Sequence, residues 1–127
     1  MYFLDTDFVI NFFRGKHKTV MQELIKDRIF TGSINLYELT KGCYQSKNYI
    51  KNKSLLDEFM KNIEIVPFGE STSKIAAKLH NNLKNSGSMI NENDILIAAS
   101  CIDVNCILVT DNKKHFSTIK SLKLLDL

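Results

Sequence analysis

Apolar positions in this chain fall into short blocks whose period switches between strand-like and helix-like. Tyr2-Phe3-Leu4 is an uninterrupted apolar run that stops at Asp5 and Asp7, which predicts a buried strand delivering carboxylates to a sheet edge. From Asp7 to Phe13 apolar residues stand at 8, 9, 10, 12 and 13, the pattern of a helix punctuated by Gly15. A second amphipathic helix is expected over Thr19–Lys26, followed by a short strand at Ile29-Phe30-Thr31. Ser33 is the expected N-cap of a helix over Ile34–Gln45. The polar stretch Ser46–Ser54 then separates it from another helix ending at Met60.

Ile63 to Phe68 predicts the next strand, closed by the only proline, Pro67, which cannot donate to a ladder. A long helix over Ser71–Leu83 carries Ile75, Leu79 and Leu83 on one stripe and ends at Ser86-Gly87-Ser88. Asn91–Val104 predicts the most buried helix, with Asn91 as cap and Asp94 as a weak capping-box partner. Cys106-Ile-Leu-Val-Thr110 is an interior strand and Leu122–Leu125 an edge strand. Strands alternating with helices imply right-handed βαβ crossovers. The expected fold class is therefore α/β, a three-layer α/β/α sandwich with a short, mainly parallel central sheet.

Length narrows this to one domain over residues 1–127, since 127 residues with 44% hydrophobic content supply one core and not two. No run approaches the roughly 20 apolar residues of a membrane span, so the expectation is a soluble, cytoplasmic chain without a membrane partner. Cys43, Cys101 and Cys106 lie in apolar contexts without zinc spacing, which predicts reduced thiols.

Four acids change the picture more than the net charge of +3 does. Asp5 and Asp111 follow apolar strands, Glu38 lies inside a helix past any capping position, and Asp94 shares a helical face with Ala98, Cys101 and Ile102. Each has an ordinary reading: a cap for Asp5, a turn for Asp111, a solvent pair with Lys41 for Glu38, a dipole contact for Asp94. Taken together, acids at two strand ends and on two helices against one sheet would make a pocket whose repulsion calls for a hard cation such as Mg²⁺ or Mn²⁺. Such an ion can activate water against a phosphodiester. Without those four acids the chain carries 17 basic against 10 acidic residues, a scattered lysine surface that fits either solvation or phosphate-backbone binding.

At these residues the chain resembles the PIN-domain ribonucleases, specifically the VapC-type toxins of bacterial toxin-antitoxin pairs. The matching pieces are Leu4-Asp5-Thr6-Asp7, Ser33 through Glu38-Leu39 with Gly42, Asn93-Asp94-Ile95-Leu96-Ile97-Ala98-Ala99, and Val109-Thr110-Asp111-Asn112 with Phe116. They occur in family order along the whole chain. The resemblance implies a metal-dependent endoribonuclease with an RNA substrate, a cognate antitoxin protein as partner, and a homodimer. It implies that the acids matching Asp5, Glu38 and Asp94 hold the metal. The family usually has asparagine where Asp7 stands, leaving Asp7 as an extra ligand or a hydrogen-bonding support. Its Thr-x-Asp/Asn pattern selects Asn112 whereas charge selects Asp111; Asp111 is taken as the fourth acid, supported by Thr110 and Asn112. Phe12, Phe13 and Met21 are candidate partner contacts, each also suited to the core.

Two other readings compete. Asp5-Thr6-Asp7 resembles the nucleophile and acid pair of haloacid-dehalogenase-type phosphatases, but leaves Glu38 and Asp94 without a task. A PIN-like or receiver-like binding module would use the acids for a structural ion only; a receiver would want an aspartate ending its third strand, where Val66-Pro67-Phe68 stands.

Overall fold

The computed structural model describes residues 1–127. Five strands, β1 (Tyr2–Leu4), β2 (Ile29–Gly32), β3 (Glu64–Val66), β4 (Ile107–Val109) and β5 (Lys123–Leu124), form one sheet in the order β3-β2-β1-β4-β5. Every pairing is parallel. Side chains on successive strand residues point to opposite faces, and the buried residues follow that rule. Phe3, Phe30 and Leu108 join one core, whereas Leu4, Ile29 and Val109 join the other. Helices α5 (Glu70–Asn85) and α6 (Glu92–Asp103) cover the first face; α1 (Thr6–Phe13), α2 (Lys18–Leu24) and α4 (Tyr49–Met60) cover the second. Helix α3 (Ser33–Gln45) bridges them, with Leu39 in the second core and Ile34 packed against the first. Both faces being covered explains why β1 and β4 read as apolar runs without alternation.

Several expectations are refined. The N-cap of α3 is Gly32, not Ser33, whose hydroxyl donates instead to the Val66 carbonyl at 3.3 Å. Helix α4 begins at Tyr49, inside the stretch expected to be polar linker. A four-residue helix, α7 (Lys113–Phe116), was not expected; it buries Phe116 in the first core. Asn91 does cap α6, accepting from the Asn93 amide at 2.9 Å. Met21 is a core residue, Phe12 is half-buried against Phe59, and Phe13 is exposed. The cysteines are free, and burial pushes the Cys101 and Cys106 thiols up, away from reactive thiolates. No helix is long and apolar enough to cross a membrane.

Gly32 is where the sheet gives way to α3 with no room to spare. A Cβ there would stand 3.0 Å from Asn35 Oδ1 and 3.1 Å from Phe3 Cζ. Both neighbours are fully buried, so neither can swing aside cheaply. Gly32→Ala is expected to cost about 2 kcal/mol, read as a lower urea midpoint with an unchanged slope.

Candidate metal-binding active site

The strand order reverses between β1 and β4: the chain leaves β1 for β2 and β3 on one side, then returns to place β4 on the other. In open α/β sheets ligands collect at the C-terminal strand edge of such a switch point. Here Asp5 follows β1 and Thr110 follows β4, and the Thr110 hydroxyl donates to Asp5 Oδ2 at 2.7 Å. The Asp5 amide donates to the Val109 carbonyl at 3.0 Å, and Asp5 Oδ1 caps α1 by accepting from the Thr6 amide at 2.9 Å. A carboxylate with only 4% of its surface exposed thus sits at the mouth of the sheet.

Glu38 reaches Asp5 through α1. Its Oε1 accepts from the Thr6 hydroxyl at 2.6 Å, and that hydroxyl accepts from Asn35 Nδ2 at 3.0 Å. Asn35 is fully buried, and its Oδ1 accepts from the Gly32 amide at 3.2 Å. A buried chain from β2 through Asn35 and Thr6 therefore fixes one oxygen of Glu38. The other accepts from Asn93 Nδ2 at 3.4 Å, next to Asp94 in the first turn of α6. Asp94 is half-buried, with Oδ2 3.3 Å from His115 Nδ1 on α7; it does not close a capping box on Asn91, which caps α6 with its own side chain.

Charge makes the three acids one group. Burial pushes the Asp5 carboxyl up to about 6 against its bonds from Thr110 and Thr6, and repulsion from Asp7 and Asp94 adds to the rise. Burial likewise raises Asp94, with His115 opposing and Glu38 and Asp7 adding. Asp7 stands exposed at the rim, accepting from Asn112 Nδ2.

Asp111 is bonded to a different part of α1. Its Oδ2 accepts from Asn11 Nδ2 at 2.6 Å and stands 2.9 Å from His17 Nε2. The loop thus brings Thr110 and Asn112 to the acids and commits Asp111 to the far end of α1. Thr6, Asn35, Asn93 and His115 are site residues that spacing alone did not identify.

All donors at the mouth are carboxylate oxygens held in mutual repulsion, the chemistry that suits a hard divalent cation. Each acid is at present engaged by protein donors, and no three His, Cys, Asp or Glu side chains gather closely enough to share one ion. Beside the acids, Thr110, Asp111, Asn112, Lys114 and His115 line a polar cleft of about 440 Å³. A second, apolar groove of about 380 Å³ runs from Glu38 past Ile10, Phe13 and Leu55.

The model of the PIN domain family matches residues 2–122. Ribonuclease VapC2 of Rickettsia felis is 35% identical over 126 residues, covering 96% of this chain and 94% of that protein. Ribonuclease VapC1 of Haemophilus influenzae is 30% identical over 130 residues, covering 99% and 97%. Among solved structures, VapBC2 from Rickettsia felis bound to a DNA fragment from its promoter superposes with a TM-score of 0.89 at 34% identity, covering 99% of this chain and 98% of that one. VapBC-1 from nontypeable Haemophilus influenzae superposes at 0.88 with 28% identity over 98% and 96%.

Proposed function

The chain belongs to the PIN domain family, and from that premise we propose that it is a metal-dependent endoribonuclease acting as the toxin of a toxin-antitoxin pair. The observation that carries the chemistry is the buried acid group at the switch point, Asp5 joined to Glu38 through Thr6 and repelled by Asp94. The relatives' names, ribonucleases of the VapC type, support RNA as the substrate. Their solved complexes with VapB support an antitoxin partner.

In this reading Asp5, Glu38 and Asp94 hold Mg²⁺, or Mn²⁺, with Asp7 at the rim as an added ligand or anchor. When bound, the ion supplies Lewis-acid activation of water and neutralisation of phosphate charge. The remaining work belongs to the chain. Thr110 and the Thr6 amide hold both oxygens of Asp5 in place, and the Asn35–Thr6 link aims Glu38 at the same mouth. Lys114 and His115 in the polar cleft offer positive or donor groups to a backbone phosphate. The exposed Phe13 and the apolar groove ending at Glu38 suit a partner chain, and the toxin assembles as a homodimer. The phosphatase reading asks Asp5 to be an accessible nucleophile, which its burial and two occupied oxygens oppose.

The test is incubation of purified protein with total cellular RNA in Mg²⁺ or EDTA, followed by end mapping, with and without the product of the adjacent small gene. Discrete Mg²⁺-dependent cuts are expected, lost in Asp94→Asn and suppressed by the neighbour. Undiminished cutting by Asp94→Asn at saturating Mg²⁺ would remove Asp94 from the site. Sedimentation of the isolated chain as a monomer at high micromolar concentration would count against the dimer.

A further inference from the structure

The loop after β4 touches the first helix three times in three residues. Thr110 reaches the N-cap Asp5, Asn112 reaches Asp7, and Asp111 reaches Asn11. Asp7 and Asn11 are i, i+4 neighbours, so they face the loop from one side of α1. His17, beyond α1, closes the arrangement from its far end, its Nε2 2.9 Å from the same Asp111 oxygen that takes Asn11.

His17 is held for this contact in two ways. Its ring stacks on the fully buried Phe8, with centroids 4.6 Å apart and planes 14° from parallel. Its backbone is in the left-handed region at φ +62°, yet its side chain makes no capping bond to α2, which it precedes. A non-glycine residue keeps that conformation only where its surroundings demand it. Asp111 in turn presents one oxygen to two donors, an arrangement suited to holding a loop.

We propose that Asn11, His17 and Asp111 form a clamp that fixes the Thr110–Asn112 loop against α1, so that Asp111 is a positioning residue for the acid site and not a metal ligand. Removing the clamp frees the loop, and with it the Thr110 bond to Asp5 and the Asn112 bond to Asp7. Partners one step removed from a metal site typically change its affinity by about 10- to 100-fold when lost. The consequence for Mg²⁺ rests on the metal-site reading; the clamp itself does not.

Two readouts on the full chain keep these apart: amide hydrogen exchange at Asn112 without metal, where its N–H is held by the Thr110 hydroxyl, and the half-saturating Mg²⁺ concentration in thermal melts. Asp111→Ala, Asn11→Ala and His17→Phe, the last keeping the stack on Phe8, should each speed exchange at Asn112 and raise half-saturation roughly tenfold. The Asp111→Ala/His17→Phe double variant should be no worse than Asp111→Ala alone, because Asp111→Ala already breaks the contact that His17→Phe removes. Asp111→Asn keeps an acceptor oxygen and should stay within about twofold of wild type. The proposal fails if Asp111→Asn is as damaging as Asp111→Ala while exchange is unchanged, the signature of a lost ligand charge. It fails equally if Asn11→Ala and His17→Phe leave exchange at Asn112 as in wild type. Wild type that gains nothing from Mg²⁺ would defeat the metal site and leave the exchange result to decide the clamp.

Discussion

Asp5→Asn should yield a protein that is more stable than wild type above pH 7 without metal and yet almost inactive. The carboxyl is pushed from 3.8 to about 6 chiefly by burial, so holding it ionised near neutrality opposes folding by roughly 2–3 kcal/mol, at about 1.4 kcal/mol per pKa unit. Asparagine removes the charge and keeps the bonds. Its oxygen can accept from the Thr6 amide, and its NH₂ can donate to the Thr110 hydroxyl, which has lone pairs to accept with. A gain of about 2 kcal/mol is expected in urea at pH 8 with EDTA. Cleavage of RNA should fall by on the order of 10³-fold, the consequence of losing several kcal/mol of charge stabilisation. Opposite movements in stability and activity would mark Asp5 as a strained functional group. A destabilised but active Asp5→Asn would instead make it an ordinary cap.

The Asp5 case also shows which parts of the molecule were legible in sequence. Strands buried on both faces are written as apolar runs, so Tyr2–Leu4 and Ile107–Val109 stand out, and the acid ending the first run is conspicuous because an unpaired buried carboxylate is costly. Glu38 and Asp94 were visible for the same reason. Helix α7 was not, since Lys113-Lys-His-Phe116 is too short to show a period, and only Phe116 betrays its packing. The start of α4 was hidden because Tyr49 and Ile50 are exposed and flanked by lysines. What spacing could not supply is pairing across the fold. Thr6 with Glu38, Asn35 with Thr6, and Asn11 with Asp111 join residues far apart in sequence, and nothing local to Asn35 announces that it is fully buried. The contacts of Asp111 were hidden for a related reason. Charge says that an acid needs a partner, and Asn11 and His17 supply one.

A raised carboxyl has a consequence for the whole molecule when pH is varied. Between about 4 and 6 the folded metal-free protein binds a proton on Asp5 that the unfolded chain has released, so the stability this proton provides is complete below the lower value and is lost as pH rises through the upper one. Asp94, raised in the same direction, adds to the loss. Asp27, Glu64 and Asp126, each lowered by a bonded cation, titrate with the opposite sign at more acid pH, so they contribute little to melts from pH 5 to pH 8. Wild type in EDTA should lose roughly 5–10 °C across that range, on the scale of about 4 °C per kcal/mol for a domain of this size. With the proposed site, Mg²⁺ should bind the ionised acids and restore most of it, with its largest effect above pH 6, where protons no longer compete. Asp5→Asn should show a flatter pH profile, and Asp94→Asn a smaller gain from Mg²⁺ at every pH. Equal Mg²⁺ stabilisation of Asp94→Asn and wild type throughout would sink the shared site, because the variant lacks one of the charges said to hold the ion.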